Sequence, residues 1–149
     1  MSRPPTLSSE RQRLLDVAQT WLGTPWHHEA RIKGAGVDCL QILIAVYHEA
    51  GLIDDIHPDS YSPDWHLHRD EPRYLQGLLA YCDPVDAPLP GDIVMFQYGR
   101  HAAHGGIVLD WPTILHAWRD QRMVVTSDVS NTPVLSERVA GFYRLKGLA

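Results

Sequence analysis

Cysteine is scarce in this chain: two, Cys39 and Cys82, among 149 residues. Two cysteines make no disulfide framework, so a reducing compartment fits. No apolar run reaches the length of a membrane span, and the opening Met1-Ser2-Arg3-Pro4-Pro5 lacks the apolar core of a signal peptide. Synthesis in a cytoplasm is therefore expected, with any later export owed to something other than a leader on this chain. Positive charge is in deficit, 13 basic residues against 18 acidic for a net charge of −5, which argues against nucleic-acid recognition. Internal repeats and low-complexity segments are missing as well. A composition 44% hydrophobic and 21% charged excludes disorder, and the length suits a single domain over residues 1–149. What the chain has in excess is histidine, nine residues in all.

The stretch on which the rest depends runs from Gly34 to Gly51. Glycines lead into Val37-Asp38-Cys39, and an apolar run follows from Leu40 to Ala50. Its length predicts about three turns of helix, which Gly51 ends as a C-terminal glycine does. Asp38 is a good N-cap, which sets Cys39 at the first helical position. A thiol there lies near unpaired N–H groups and the positive end of the helix dipole, so the spacing predicts a thiolate-favouring site. The plain alternative is that Cys39 is a small buried hydrophobe, as free cysteines usually are.

Upstream, residues 8 to 22 predict an amphipathic packing helix. Ser9 and Gln12 make a capping box, and Leu14, Leu15, Ala18, Trp21 and Leu22 share one face. The loop Thr24-Pro25-Trp26-His27-His28-Glu29 leads directly into the glycines, so Trp26 and His27 are candidates to line a site. Downstream, residues 54 to 69 read as a long surface excursion, a lid or groove wall. Asp70 caps an expected helix over 71–81. Cys82, at its end before Pro84, reads as structural.

From Gly91 the period changes from helical to extended. Strands are predicted at 92–98, 105–109, 114–118, 123–126 and 139–145, joined by short turns that imply antiparallel pairing. Helices first and strands after give an α+β fold: N-terminal helices packed on an antiparallel sheet of about five strands.

A nucleophilic cysteine needs a base and a group to orient the base. His104 precedes the Gly105-Gly106-Ile107-Val108-Leu109 strand, and His116 lies on the next one. An odd turn between the strands sets position 116 opposite 106, on the face of 104; an even turn separates them. Zinc bound by Cys39, His104 and His116 is a competing reading, but no close-spaced ligand pair supports it, so no metal is expected.

Several motifs in order carry a resemblance: Gly-Val-Asp-Cys opening an apolar helix, Pro90-Gly91-Asp92-Ile93-Val94-Met95-Phe96, His104-Gly105-Gly106-Ile107-Val108-Leu109, and Ile114-Leu115-His116-Ala117. From about Trp21 to Trp118 the chain resembles the NlpC (p-60) family of papain-like cell-wall cysteine peptidases. The finer resemblance, on Gly23-Thr24-Pro25-Trp26-His27-His28, Lys33 to Cys39 and Tyr61-Ser62-Pro63-Asp64-Trp65, is to phage-tail members. The resemblance implies Cys39 as nucleophile, His104 as base and His116 as orienting group. Trp26, His27, Asp38 and Gly105 are the supporting residues. It implies cleavage of peptidoglycan stem peptides, no cofactor, tail-tip or hub proteins as partners, and carriage in a virion tail. A structural tail-tip plug that keeps the peptidase fold is the alternative. Two positions depart from the family pattern. Leu40-Gln41 stands where Ser-Gly is common, and Trp26 where many members have a tyrosine near the thiol.

Overall fold

The computed structural model describes residues 7–58, 77–98 and 101–149, with backbone only at 101–103. Most of the expected excursion and residues 71–76 of the expected 71–81 helix lie outside the described residues; 77–79 are helical and 80–81 form a turn.

The first helix, α1 (Ser9–Gln19), is capped by Ser8, whose hydroxyl accepts from Arg11 N–H at 3.2 Å. The cap thus falls one residue before the expected Ser9, and Gln12 instead donates to Asp16. The helix also ends earlier than expected, and Leu22 is 44% exposed. Gly23, at φ +82°, turns the chain into a small antiparallel pair, β1 (Arg31–Ile32) and β2 (Gly36–Val37). Next comes α2 (Gln41–Glu49), almost wholly buried, as its unbroken apolar run requires.

The remaining strands are β3 (Cys82–Val85), β4 (Ile93–Tyr98), β5 (His101–Asp110), β6 (Thr113–Trp118), β7 (Met123–Asp128) and β8 (Val139–Leu145). One helical turn, α3 (Pro133–Ser136), precedes β8. The six strands form one sheet in the order β3-β8-β4-β5-β6-β7, each pair antiparallel. The α+β architecture is as the sequence implies, with one strand more. The addition is β3: Cys82 opens a strand rather than ending a helix. Pro84 is tolerated there because β3 lies at the sheet edge.

Two cores form, one on each face. Leu14, Ala18 and the apolar side chains of α2 pack on Ile93, Met95, Ile107, Leu115 and Ala117. The other face gathers Val94, Phe96, Val108 and Ile114 with Val129 and Leu135. This alternation is the period-two signature of a sheet covered on both sides. A buried carboxylate, Asp92, ties the start of α1 to β8: it accepts from Arg11 at 3.1 Å and from Arg144 at 2.8 Å. Such a group is tolerable in the interior only because its charge is paired and its oxygens are occupied. Among the described residues no helix is long and apolar enough to cross a membrane.

Candidate active site

The loop before Cys39 is held by backbone bonds rather than by regular structure. Trp26 N–H donates to the Arg122 carbonyl at 2.8 Å, and His27 N–H to the Val37 carbonyl at 3.0 Å. The buried Asp38 then fixes the approach to α2. One carboxylate oxygen accepts from Leu40 N–H (3.1 Å) and Gln41 N–H (2.8 Å); the other accepts from Glu29 N–H (2.8 Å). Glu29 holds φ +60°, a left-handed conformation that this bond helps secure. Ile42 N–H donates to the Asp38 carbonyl at 3.0 Å. Asp38 therefore caps as the sequence predicts, while the regular helix begins at Gln41, and Cys39 and Leu40 make the turn between.

The electrostatics at Cys39 overturn one expectation. Its thiol is pushed well above the ordinary range, not below it, by burial first and the neighbouring Asp38 charge second. The backbone N–H groups of Cys39 and Leu40, with the Arg119 guanidinium, pull the other way and do not prevail. The cap that orients the turn is itself a negative charge beside the sulfur. The resting group is a neutral thiol.

His104 and His116 come together on the sheet. His104 pairs opposite Phe96 on β4 and shares its face. The β5–β6 connection is a two-residue turn, which alone would separate the histidines. However, Val108 pairs with Ile114 and Asp110 with Thr113, so Leu109 is an extra residue in β5. That bulge restores the phase in which 116 falls opposite Gly106. His104 Nε2 and His116 Nδ1 are 2.7 Å apart, and His116 Nε2 lies 2.8 Å from Ser127 Oγ. Trp118 stacks on His116 with ring centroids 5.1 Å apart. Burial drives the pKa of both imidazoles down, and at His116 the charge of a protonated His104 adds to it. The pair is neutral, the state in which an imidazole acts as a base.

Tyr98, at the end of β4, neighbours both halves of the site. Its phenol is raised by burial first and Asp120 next, with the charge of a Cys39 thiolate contributing, and it accepts a hydrogen bond from Trp118. Its ring stands edge-on to His104, with centroids 6.2 Å apart. Arg119, whose charge reaches Cys39, lies over the half-buried Trp26 ring at 5.4 Å. The thiol thus sits at the rim where β4 and β6 end and β5 begins.

Of the supporting residues named from sequence, Asp38 shapes the turn at Cys39 and Trp26 flanks the site through Arg119. Gly105 is buried in β5 opposite Met95. His27 is exposed, with its Nδ1 directed to the His28 carbonyl at 3.1 Å, and its Cβ would lie 2.9 Å from a Cβ added at Gly36. It braces the loop. Tyr98 and Ser127 were not singled out from sequence. Tyr98 had a signal, since it alternates with Phe96 on one strand; Ser127 had none, because its role depends on cross-strand register. Among the described residues no group of three or more His, Cys, Asp or Glu side chains could hold a metal ion.

A cysteine in the turn that opens a buried helix is thus set against an antiparallel sheet that carries hydrogen-bonded histidines. The chain belongs to the NlpC/P60 family, whose model matches residues 23–144. Similar solved structures include an NLP/P60-family protein of Bacillus cereus ATCC 10987, with a TM-score of 0.67 and 21% identity over 97% of this chain and 42% of that one. A lipoprotein-like family member of Staphylococcus aureus Mu50 has a TM-score of 0.65 and 18% identity over 97% and 45%. The peptidoglycan hydrolase RipB of Mycobacterium tuberculosis has a TM-score of 0.57 and 14% identity over 94% and 65%. The chain spans less than half the length of the first two. At these identities the likeness is one of fold. No curated protein sequence matches the chain.

Proposed function

We propose that this chain is a peptidoglycan hydrolase, a cysteine endopeptidase that cuts stem peptides of the cell wall. The observation that carries the reading is the buried, neutral His104–His116 pair, bonded at 2.7 Å, in a family chain with Cys39 at its helix start. His104 Nε2 is engaged by His116, which leaves Nδ1 as the nitrogen that meets the thiol. His104 takes the thiol proton there as sulfur attacks the peptide carbonyl. Backbone N–H groups of the Cys39 turn are the donors for the developing oxyanion. His104 then returns its proton to the leaving amine, and water hydrolyses the thioester.

The same proposal sets the enzyme in a phage tail, carried in the virion with tail-tip or hub proteins as partners. The support is the likeness of the loop Gly23–His28 and the Lys33–Cys39 stretch to tail peptidases. A second reading, a structural tail plug that keeps the fold, is favoured by one observation: the Cys39 thiol is raised rather than activated. Incubation of the protein and of Cys39→Ala with purified peptidoglycan decides between them. Stem peptides detected by mass spectrometry from the native chain alone establish the hydrolase. Equal silence from both establishes the plug.

A further inference from the structure

We propose that Ser127 is a positioning residue for this site: it accepts a hydrogen bond from His116 and thereby fixes the tautomers of both imidazoles. The inference rests on His104 acting as base, as proposed above. A neutral imidazole has one N–H and one acceptor nitrogen. His104 receives the thiol proton at Nδ1 only if its own proton is on Nε2. It must then donate Nε2–H to His116 Nδ1, across the observed 2.7 Å. That makes Nδ1 of His116 an acceptor, so the His116 proton is on Nε2. The partner at that nitrogen is Ser127 Oγ, 2.8 Å away.

The opposite order of the chain is chemically complete and inactive. If Ser127 O–H donated to His116 Nε2, His116 would donate Nδ1–H to His104 Nε2. His104 would then present a proton, not a lone pair, to the thiol. A hydroxyl can play either part, so Ser127 is the point at which the two orders part. The productive order also needs no rearrangement during reaction. When the Cys39 S–H proton moves to His104 Nδ1 and the sulfur electron pair forms the C–S bond, Nε2–H goes on donating to His116. Complete burial of His116 and its stack on Trp118 keep its ring oriented, and the sheet sets Ser127 within reach, because Ile114 pairs with Ser127 and His116 with Val125.

The test uses the full chain as native protein, Ser127→Ala and Ser127→Thr, with two readouts. Nitrogen-15 NMR of the imidazoles reads the tautomers; steady-state kinetics on peptidoglycan stem peptides separates kcat from KM. The native protein is expected to show both histidines protonated at Nε2. Ser127→Ala should show His116 partly protonated at Nδ1, with kcat down about 10–100-fold, the range for partners that orient a functional histidine, and KM unchanged. Ser127→Thr should restore both. His116 protonated at Nδ1 in the native protein overturns the proposal. So does a Ser127→Ala protein with native tautomers, whatever its rate. If the native chain hydrolyses nothing, the hydrolase reading fails, and the NMR result still decides the tautomer assignment.

Discussion

His104 and His116 meet at 2.7 Å because of a residue that is neither of them. Leu109 is one residue too many for the β5–β6 ladder, and it shifts the phase of everything before it in β5. Without the bulge, a two-residue turn would direct the two imidazoles to opposite faces. The histidine pair in this fold is therefore specified by sheet register as much as by residue type.

The first prediction concerns the rank order of the site residues. In the proposed mechanism His116 orients His104 through a neutral acceptor and carries no full negative charge, so its loss is expected to be partial. Cys39→Ala and His104→Ala should abolish turnover on stem peptides. His116→Ala should lower it, and His116→Asn, which retains an acceptor, should keep more than His116→Ala. A fully active His116→Ala protein beside a dead Cys39→Ala protein would move the orienting role elsewhere.

The sequence made the cast legible but not the electrostatics. Asp38 as cap was readable because capping is local, two or three residues in reach. The motifs brought Cys39, His104 and His116 forward in the right order. The phase of the hairpin was not readable, since nothing in Val108-Leu109-Asp110 announces a bulge. The thiol was misjudged for a related reason: a helix start is visible in sequence, whereas the burial that outweighs it comes from tertiary packing. Strand β3 was missed because Cys82-Asp83-Pro84-Val85 has no strand pattern of its own and is defined by its pairing with β8.

The second prediction follows from the raised thiol. A low-pKa thiolate paired with imidazolium would alkylate at a rate that levels off below neutral pH. Here both partners rest neutral, so labelling of Cys39 by iodoacetamide should rise with pH through and beyond the ordinary thiol value of about 8.5. Cys82, which is buried where Cys39 is only partly so, should label more slowly at every pH because the reagent reaches it less easily. A plateau for Cys39 near pH 6 would show an ion pair and refute the neutral resting state.

Acid stability supplies the third. The folded-state pKa of His104 is lowered to about 4 by burial, and that of His116 is lowered as well. The unfolded chain takes up these protons first, near pH 6.5. Their contribution to stability is thus complete above that pH and is lost as pH falls toward the folded values. Each histidine should steepen the loss by about 1.4 kcal/mol per pH unit in this window. Urea denaturation between pH 7 and 5 should show a shallower dependence for His104→Gln than for the native protein. Identical slopes would mean that the imidazole takes up its proton in the fold at the same pH as in the unfolded chain.

The last prediction tests the space that the histidine pair requires. Gly106 lies in β5, at the register position opposite His116 on β6. A Cβ there would stand 2.9 Å from Ile114 Cδ1 and 3.3 Å from His116 Cβ. Gly106→Ala should therefore destabilise the protein by about 1–3 kcal/mol, the usual cost of overpacking, and should also displace His116 from His104. The two effects have different sources and can be separated. Ile114→Val removes the Cδ1 methyl and with it the closest contact, but leaves the crowding of His116 in place. Adding it to Gly106→Ala should recover stability, read as denaturation midpoint, while turnover stays low. If turnover returned with stability, the loss in Gly106→Ala would be one of folding alone, and the glycine would have no part in setting the distance between the imidazoles.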